Sequence, residues 1–172
     1  GGNVTGMSIG NDETVQKLIE LMMVAVPKLK RIAILVNPTN TAASALLVRV
    51  QAAAKKSGKQ IVPVSARSTE EIERGFATMQ HERVGGLVIL ADTFLLSQRA
   101  QIAALVLKQR LPAIYPRAQY AESGGLMAYG ADVNDNFHRA GIFVDKILKG
   151  EKAGNIPIEL PMRYYFVVNR KT

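Results

Sequence analysis

The chain alternates short apolar segments with helical patterns, and this alternation limits the folds open to it more than any other feature. Three apolar segments, at 31–36, 60–65 and 86–91, are each followed by a stretch with helical periodicity. Strands and helices in such succession form a parallel sheet with right-handed crossovers. The sequence therefore predicts an α/β fold of three layers, in which helices cover both faces of a doubly wound, mostly parallel sheet.

The remaining elements follow from the same periodicities. Helices are expected to begin near residues 11, 41, 68, 97 and 134, and further strands are expected at 112–114, 126–129 and 163–169. The side chains that can cap these helices are Asn11 or Asp12, Ser68, Ser97, and Asn134 or Asp135. Ser68 begins a capping box, because Glu71 follows it three residues later.

Polar and aromatic residues follow the points where the predicted parallel strands end. Asn37 and Asn40 follow the first strand, Ser65 ends the second, Asp92-Thr93-Phe94 follows the third, and Tyr115 follows the fourth. In open α/β sheets, ligands bind outside the carboxyl ends of the strands. Amide, hydroxyl, carboxylate and aromatic groups suit a small polar molecule with an apolar part, so the pattern indicates binding before catalysis.

Each of these residues also has a purely structural interpretation. Asn37 and Asn40 could do no more than cap the following helix, and Asp92 could form a helix-entry turn with Phe94 in the core. Tyrosines combine apolar area with a hydroxyl group, which suits either core packing or contact with an amphipathic ligand. The three tyrosines near predicted strand ends are Tyr115, Tyr120 and Tyr129.

Several classes of function have little support in the sequence. The formal charge of +8 is spread along the chain, and aromatic residues make up only 6% with no Trp, so no nucleic-acid partner is expected. Cysteine is absent and His81 and His138 are isolated, so no metal site is expected. The turn after the first strand lacks the glycine pattern of dinucleotide sites, and neither a phosphate-binding loop nor a nucleophile elbow occurs. No cofactor and no enzymatic activity are predicted.

The chain resembles the C-terminal portion of the ABC transporter substrate-binding protein family that includes tryptophan and tyrosine binders. The resemblance rests on the order and spacing of several segments rather than on any single one. These segments are GGNVTGMS at 1–8, PKLKRIAILVNP at 27–38, residues 76–92 with their GGLV centre, LPAIY at 111–115, GGLMAYGAD at 124–132, AGIFVDKILKGEK at 140–152 and YFVVNRKT at 165–172.

The resemblance implies one lobe of a two-lobed clamshell of the periplasmic-binding-protein type I kind. An N-terminal lobe and an export signal would then lie outside this chain. The implied parts are an interlobe crossing at 1–9, the ligand-binding second lobe at 10–130, a helix and connector at 131–161 that pack on the N-terminal lobe, and a returning strand at 162–172. An uncovered apolar stripe on the helix at 134–149 would favour dimerisation through that helix.

The resemblance also implies a function and a site. Such bacterial proteins bind a small ligand between two lobes and deliver it to an ABC permease without turnover; the ligand favoured here is an amino acid, with an aromatic one as a variant. They are periplasmic or extracellular, with a lipid anchor as one variant. The implied ligand residues are Asn37, Asn40, Ser65, Asp92, Thr93, Tyr115 and Tyr129, with Phe94 and Tyr120 as further candidates. A sensing domain of a regulatory protein and an α/β enzyme are the alternatives.

Overall fold

The computed structural model describes residues 2–8, 11–56 and 58–172 and arranges them as alternating strands and helices. The strands are β1 (Arg31–Val36), β2 (Gln60–Ser65), β3 (Gly86–Ile89), β4 (Ala113–Tyr115), β5 (Met127–Ala131) and β6 (Tyr164–Val168). The helices are α1 (Asn11–Ala25), α2 (Thr41–Lys56), α3 (Thr69–His81), α4 (Thr93–Ser97), α5 (Arg99–Gln109), α6 (Ala118–Glu122) and α7 (Val133–Leu148).

All six strands belong to one sheet in the order β2-β1-β3-β4-β5-β6. The first five strands are parallel, and β6 pairs with β5 in the antiparallel direction. The chain moves from β1 outward to β2 and then returns past β1 to β3, so the direction of winding reverses between β1 and β3. The predicted doubly wound, mostly parallel sheet is confirmed.

The core lies in two layers, one on each face of the sheet. Alternate residues of β1 divide between the layers: Ala33 and Leu35 face one, and Ile32, Ile34 and Val36 face the other. The first layer is completed by α3, α5 and α6, and the second by α1 and α2. Burial of β1 on both faces explains why its sequence is continuously apolar.

Two helix starts differ from the prediction because the helices begin closer to the preceding strands. Ser97 is not an N-cap, since it ends the short helix α4 and its hydroxyl donates to the carbonyl of Phe94 at 2.7 Å. Asp132, rather than Asn134 or Asp135, caps α7 by accepting from both of their backbone amides. The sequence pattern does not predict the short helix α6. The side chains of the candidate caps Asn11 and Asp12 lie outside the described residues.

Half of the capping box predicted at the start of α3 is confirmed: Ser68 is the N-cap, while Glu71 bonds to the residue before it. Ser68 Oγ accepts a hydrogen bond from the Glu71 amide at 3.2 Å, and the Glu71 carboxylate accepts one from the Arg67 amide at 2.9 Å. This backbone donor, helped by the Arg67 side chain and opposed by desolvation, lowers the pKa of Glu71 below its usual value. The bond to Ser68 satisfies an amide that the first helical turn leaves without a partner, and the bond from Arg67 ties the preceding residue to that turn.

Replacing Ser68 with alanine should lower the free energy of unfolding by about 1 kcal/mol, because the Glu71 amide loses its acceptor. Urea denaturation measures this loss. Thr78→Ala in the same helix is the matched control, since the exposed Thr78 hydroxyl only bonds back to the Arg74 carbonyl. Equal losses in the two variants would show that the Ser68 cap contributes nothing specific.

The first described residues of the chain contact the connector that follows α7. Residues 5–8 run alongside 156–159, where Thr5 Oγ1 donates to the Ile156 carbonyl at 2.8 Å and the Ser8 amide donates to the Glu159 carbonyl at 2.8 Å. Arg139 of α7 forms an ion pair with Glu159. These contacts join the beginning of the described chain to the connector between α7 and β6.

Candidate functional site

The reversal of winding between β1 and β3 brings Asn37 and Asp92 together. Helices that leave β1 and β3 pass to opposite faces of the sheet, which opens a crevice outside the carboxyl ends of these two strands. Asn37 Nδ2 donates to Asp92 Oδ1 at 3.2 Å, and Asn40 Nδ2 donates to Asp92 Oδ2 at 3.1 Å. One carboxylate is therefore held between two amides at the place where sheets of this class bind ligands.

Local hydrogen bonds fix the orientation of both amides. The side-chain oxygen of Asn37 accepts from the backbone amide and the hydroxyl of Thr39, at 3.1 and 2.8 Å. The side-chain oxygen of Asn40 accepts from the Ala43 amide at 3.2 Å, which caps α2. Because each oxygen is engaged with its own turn, each Nδ2 group points toward Asp92. The capping interpretation is thus confirmed for Asn40, and the two amides also position a carboxylate.

Asp92 itself caps α4. Its Oδ1 accepts from the Leu95 amide at 3.0 Å in addition to the bond from Asn37. A carboxylate offers about four acceptor positions, and these contacts together with the bond from Asn40 occupy three. Within the described ranges no lysine, arginine or histidine forms an ion pair with Asp92. The partly exposed carboxylate therefore keeps part of its accepting capacity for another molecule.

A cleft of about 220 Å³ opens beside Asp92. Its wall combines a carboxylate, a guanidinium, an amide and a hydroxyl with apolar surface. The residues that line it are Asn40, Ala91, Asp92, Thr93, Leu96, Pro116, Arg117 and Tyr120. Such a mixture of apolar surface with a few polar groups is typical of small-molecule sites.

Two stacked tyrosines lie at and below the floor of this cleft. The rings of Tyr115 and Tyr120 are 4.7 Å apart with an interplanar angle of 20°. Both are almost fully buried, and neither hydroxyl has a hydrogen-bond partner among the described residues. Burial raises the pKa of both phenols, and for Tyr120 the nearby Tyr115 and Asp92 raise it further while Arg99 and Arg117 oppose the rise. Tyr120 lines the cleft, whereas Tyr115 belongs to the core beneath it.

The other candidate residues lie farther from this cleft. Ser65 is exposed at the end of β2, where it pairs in register with Val36. Phe94 packs against the core layer of α3 and α5. Tyr129 packs in the opposite layer and stacks on Tyr164 at 5.6 Å. The structure thus brings together Asn37, Asn40, Asp92, Thr93 and Tyr120, and it places Ser65, Phe94, Tyr115 and Tyr129 outside the cleft wall.

Sequence reasoning did not select Arg117, Pro116 or Leu96, which line the cleft. Arg117 follows the end of β4 by two residues, so the rule that polar residues after strand ends mark a site applies to it as well. Arg117 was passed over because the aromatic residues on either side of it, Tyr115 and Tyr120, were selected instead. Arg117 is partly exposed and contributes a positive charge to the wall.

A second hollow, of about 290 Å³, lies between α1 and α2, away from the carboxyl ends of the strands. Apolar side chains such as Ile19, Leu46 and Val50 form most of its wall. Lys59 at its edge already donates to the Leu29 carbonyl at 2.8 Å. Because this hollow lies away from the carboxyl ends of the strands, where sheets of this class bind ligands, it is a weaker candidate than the cleft beside Asp92.

Metal binding and membrane insertion find no support in the described part of the chain. There, no three His, Asp or Glu side chains gather in a way that could hold a metal ion. None of the described helices combines the length and the apolar character that a membrane crossing requires.

Comparison with known proteins gives a family match along the full sequence. The profile of a family described as ABC transporter substrate binding protein matches residues 1–172. A tyrosine-binding protein of Clostridioides difficile (strain R20291) is 22% identical over 172 residues, which make up 100% of this chain and 49% of the relative. The chain therefore spans about half the length of this curated relative.

Solved structures show the same fold. An ABC domain of Streptococcus pneumoniae in complex with L-Trp superposes with a TM-score of 0.85 at 25% identity, covering 99% of this chain and 58% of that one. A periplasmic solute binding protein of an ABC transporter from Actinobacillus succinogenes 130z, with bound D-allose, gives a TM-score of 0.72 at 12% identity over 98% of this chain and 62% of that one. The latter likeness shows the fold alone.

Proposed function

The chain belongs to the ABC transporter substrate-binding protein family, and from this we propose that it forms one lobe of a receptor that binds an amino acid and delivers it to a membrane permease. A ligand with an aromatic or other apolar side chain suits the cleft best. The proposal includes export to the periplasm or cell exterior, with a lipid anchor as one means of retention there.

The observation that carries this proposal is the carboxylate of Asp92, held by Asn37 and Asn40 at the edge of an open cleft. A fixed carboxylate without a cationic partner is suited to accept the ammonium group of a ligand through charge-assisted hydrogen bonds. The apolar wall from Leu96, Pro116 and the ring of Tyr120 offers a surface for the remainder of the molecule. The tyrosine-binding relative and the L-Trp complex support the same ligand class.

Binding without turnover fits the groups around the cleft better than catalysis does. Asp92 is the only acidic side chain among the described cleft-lining residues, and no histidine or lysine lines the cleft with it. Activation of a nucleophile needs a base within hydrogen-bond reach, and the Asp92 carboxylate instead accepts from Asn37, Asn40 and the Leu95 amide. We therefore propose a receptor rather than an enzyme.

A second α/β lobe of the same protein is the proposed cover for an exposed apolar surface around α7. Phe137 and Leu148 of α7 are 74% and 82% exposed, and Ile158 and Met162 of the following connector are 65% and 69% exposed. An apolar patch of this extent usually marks an interface. The relative that the chain matches is about twice as long, which leaves room for a second lobe. A second copy of this chain is the alternative occupant.

The proposal predicts a large difference in affinity between this chain alone and a protein that also contains the second lobe. The cleft is open, so the 172-residue chain should bind L-tryptophan or L-tyrosine only in the millimolar range or more weakly. The two-lobed protein should bind one of them at micromolar or lower concentration, a gain of about 4 kcal/mol in binding free energy.

Isothermal titration calorimetry on both proteins measures this difference, and light scattering on the same samples reports whether the chain dimerises. Micromolar binding by the monomeric 172-residue chain would show that no opposing wall is needed. Equally weak binding of every amino acid tested by the two-lobed protein would reject the proposed ligand class.

A further inference from the structure

Arg117 is a charged residue of the cleft that the proposed contacts of Asp92 do not use. It precedes α6 in an extended backbone conformation (φ −143°, ψ 139°), and its side chain makes no capping hydrogen bond. The partly exposed guanidinium lines the cleft and forms no ion pair within the described part of the chain. Its planar fork of donors is suited to bidentate binding of a carboxylate.

Arg117 and Asp92 lie on the wall of the same cleft without pairing with each other. Both act electrostatically on the phenol of Tyr120, since Asp92 raises its pKa and Arg117 lowers it, while burial has the largest effect. The hydroxyl of Tyr120 is itself buried and without a partner among the described residues. Asp92 and Arg117 thus present a negative and a positive group to one open cleft, beside the ring of Tyr120.

We propose that Arg117 binds the carboxylate of a zwitterionic ligand while Asp92 accepts its ammonium group. The cleft then selects free α-amino acids over amines, carboxylic acids and neutral sugars, and the apolar wall accommodates the amino-acid side chain. This inference rests on the proposed binding function and names the residue that sets its specificity. A ligand that lacks either charge forgoes one charge-assisted hydrogen bond to the cleft wall.

Nuclear magnetic resonance titration of the 172-residue chain tests the inference, because it detects millimolar binding and locates it on the backbone. The probes are L-tryptophan, tryptamine, which lacks the carboxylate, and indole-3-propionate, which lacks the ammonium group. L-Tryptophan should shift the amides of residues 91–96 and 117–121, which border the cleft. Tryptamine and indole-3-propionate should bind about tenfold more weakly, because each forgoes one charge-assisted hydrogen bond to the cleft.

The variant Arg117→Gln separates a direct contact from a general effect of charge. This variant should bind L-tryptophan about tenfold more weakly. Its affinity for tryptamine should not fall, because tryptamine has no carboxylate that could contact Arg117. Arg99→Gln is the matched control: Arg99 is exposed, lies within electrostatic reach of Tyr120 and does not line the cleft. This control should bind all three probes as the unmodified chain does.

The possible results distinguish the inference from the function on which it rests. Equal binding of L-tryptophan and tryptamine, or equal weakening of both by Arg117→Gln, would overturn the role of Arg117 and leave the receptor function standing. Equal effects of the Arg99 and Arg117 variants would have the same meaning. Binding of a neutral sugar such as D-allose in place of all three probes would overturn both the inference and the amino-acid ligand. The absence of any shift at the cleft would overturn the inference alone, because calorimetry on the two-lobed protein decides the ligand class.

Discussion

Replacing Gly130 with alanine should remove a large part of the folding stability of this chain. Gly130 lies in β5, where it is buried. A β-carbon built on it would overlap the backbone carbonyl oxygen of Pro116, and the hydroxyl of Tyr165 lies 3.5 Å away from the same position. A backbone group cannot rotate away as a side chain would, so β4 and β5 must separate to admit the methyl group. We expect a loss of about 3 kcal/mol or more.

This loss should also reach the ligand site. Pro116 and Arg117 follow β4 and line the cleft, so a shift of this segment moves one wall. Tyr165 holds the same segment by accepting a hydrogen bond from the Ala118 amide at 2.9 Å. Gly130 therefore helps to position one wall of the cleft, because its lack of a side chain lets the segment that contains Pro116 approach β5 closely.

Thermal and urea denaturation measure the effect of Gly130→Ala, and Gly141→Ala is the matched control. Gly141 lies within α7, and a β-carbon there meets nothing within 4 Å. Alanine should therefore raise stability at 141 by about 0.5–1 kcal/mol, because glycine disfavours a helix interior. If the two variants unfold at the same denaturant concentration, the close approach of the Pro116 carbonyl to Gly130 does not require glycine at this position.

The alternation of apolar and helical segments was enough to predict the sheet. The observed bounds of β1 and β2 are those expected, because each is a short apolar run that ends at a polar residue. The strand after residue 112 and the one after 126 were each displaced by one or two residues. Their apolar runs continue into buried residues such as Tyr115 and Ala131, which gives the sequence no sharp end to detect.

The same small displacement limits prediction of the site. Successive residues of a strand face opposite sides of the sheet, so an uncertainty of one residue leaves the face of a side chain undetermined. Tyr115 and Tyr129 were both known to lie near strand ends, yet they pack in opposite core layers. The proximity of Asn37, Asn40 and Asp92 was easier to predict. Residues just beyond the carboxyl ends of parallel strands lie at the same edge of the sheet, whichever face their side chains point to. Helix starts were harder, since α4 begins directly after β3 and Asp92, not Ser97, caps it.

Substituting alanine for Asp92 should lower stability by about 3 kcal/mol and abolish ligand binding. The change removes the acceptor of three donors at once: Asn37 Nδ2, Asn40 Nδ2 and the Leu95 amide. Hydrogen bonds to a charged group contribute about 1.5–3 kcal/mol each, partial exposure reduces that value, and loss of a helix cap adds about 1 kcal/mol. Asp145→Ala is the matched control, because the exposed Asp145 only pairs with Lys149 along α7 and should change stability by less than about 0.5 kcal/mol.

A double-mutant cycle separates the Asn37–Asp92 contact from the capping role of Asp92. Asn37→Ala alone should destabilise the chain, and it should cost about 1 kcal/mol less in the Asp92→Ala background, where its partner is already absent. Urea denaturation of the four proteins gives this coupling energy. If the two losses simply add, Asn37 and Asp92 are independent helix-entry residues that happen to be close. Of the two side-chain amides, Asn40 would then be the one left to hold the carboxylate toward a ligand, and the proposed binding site between β1 and β3 would lose half of the support for its preorganisation.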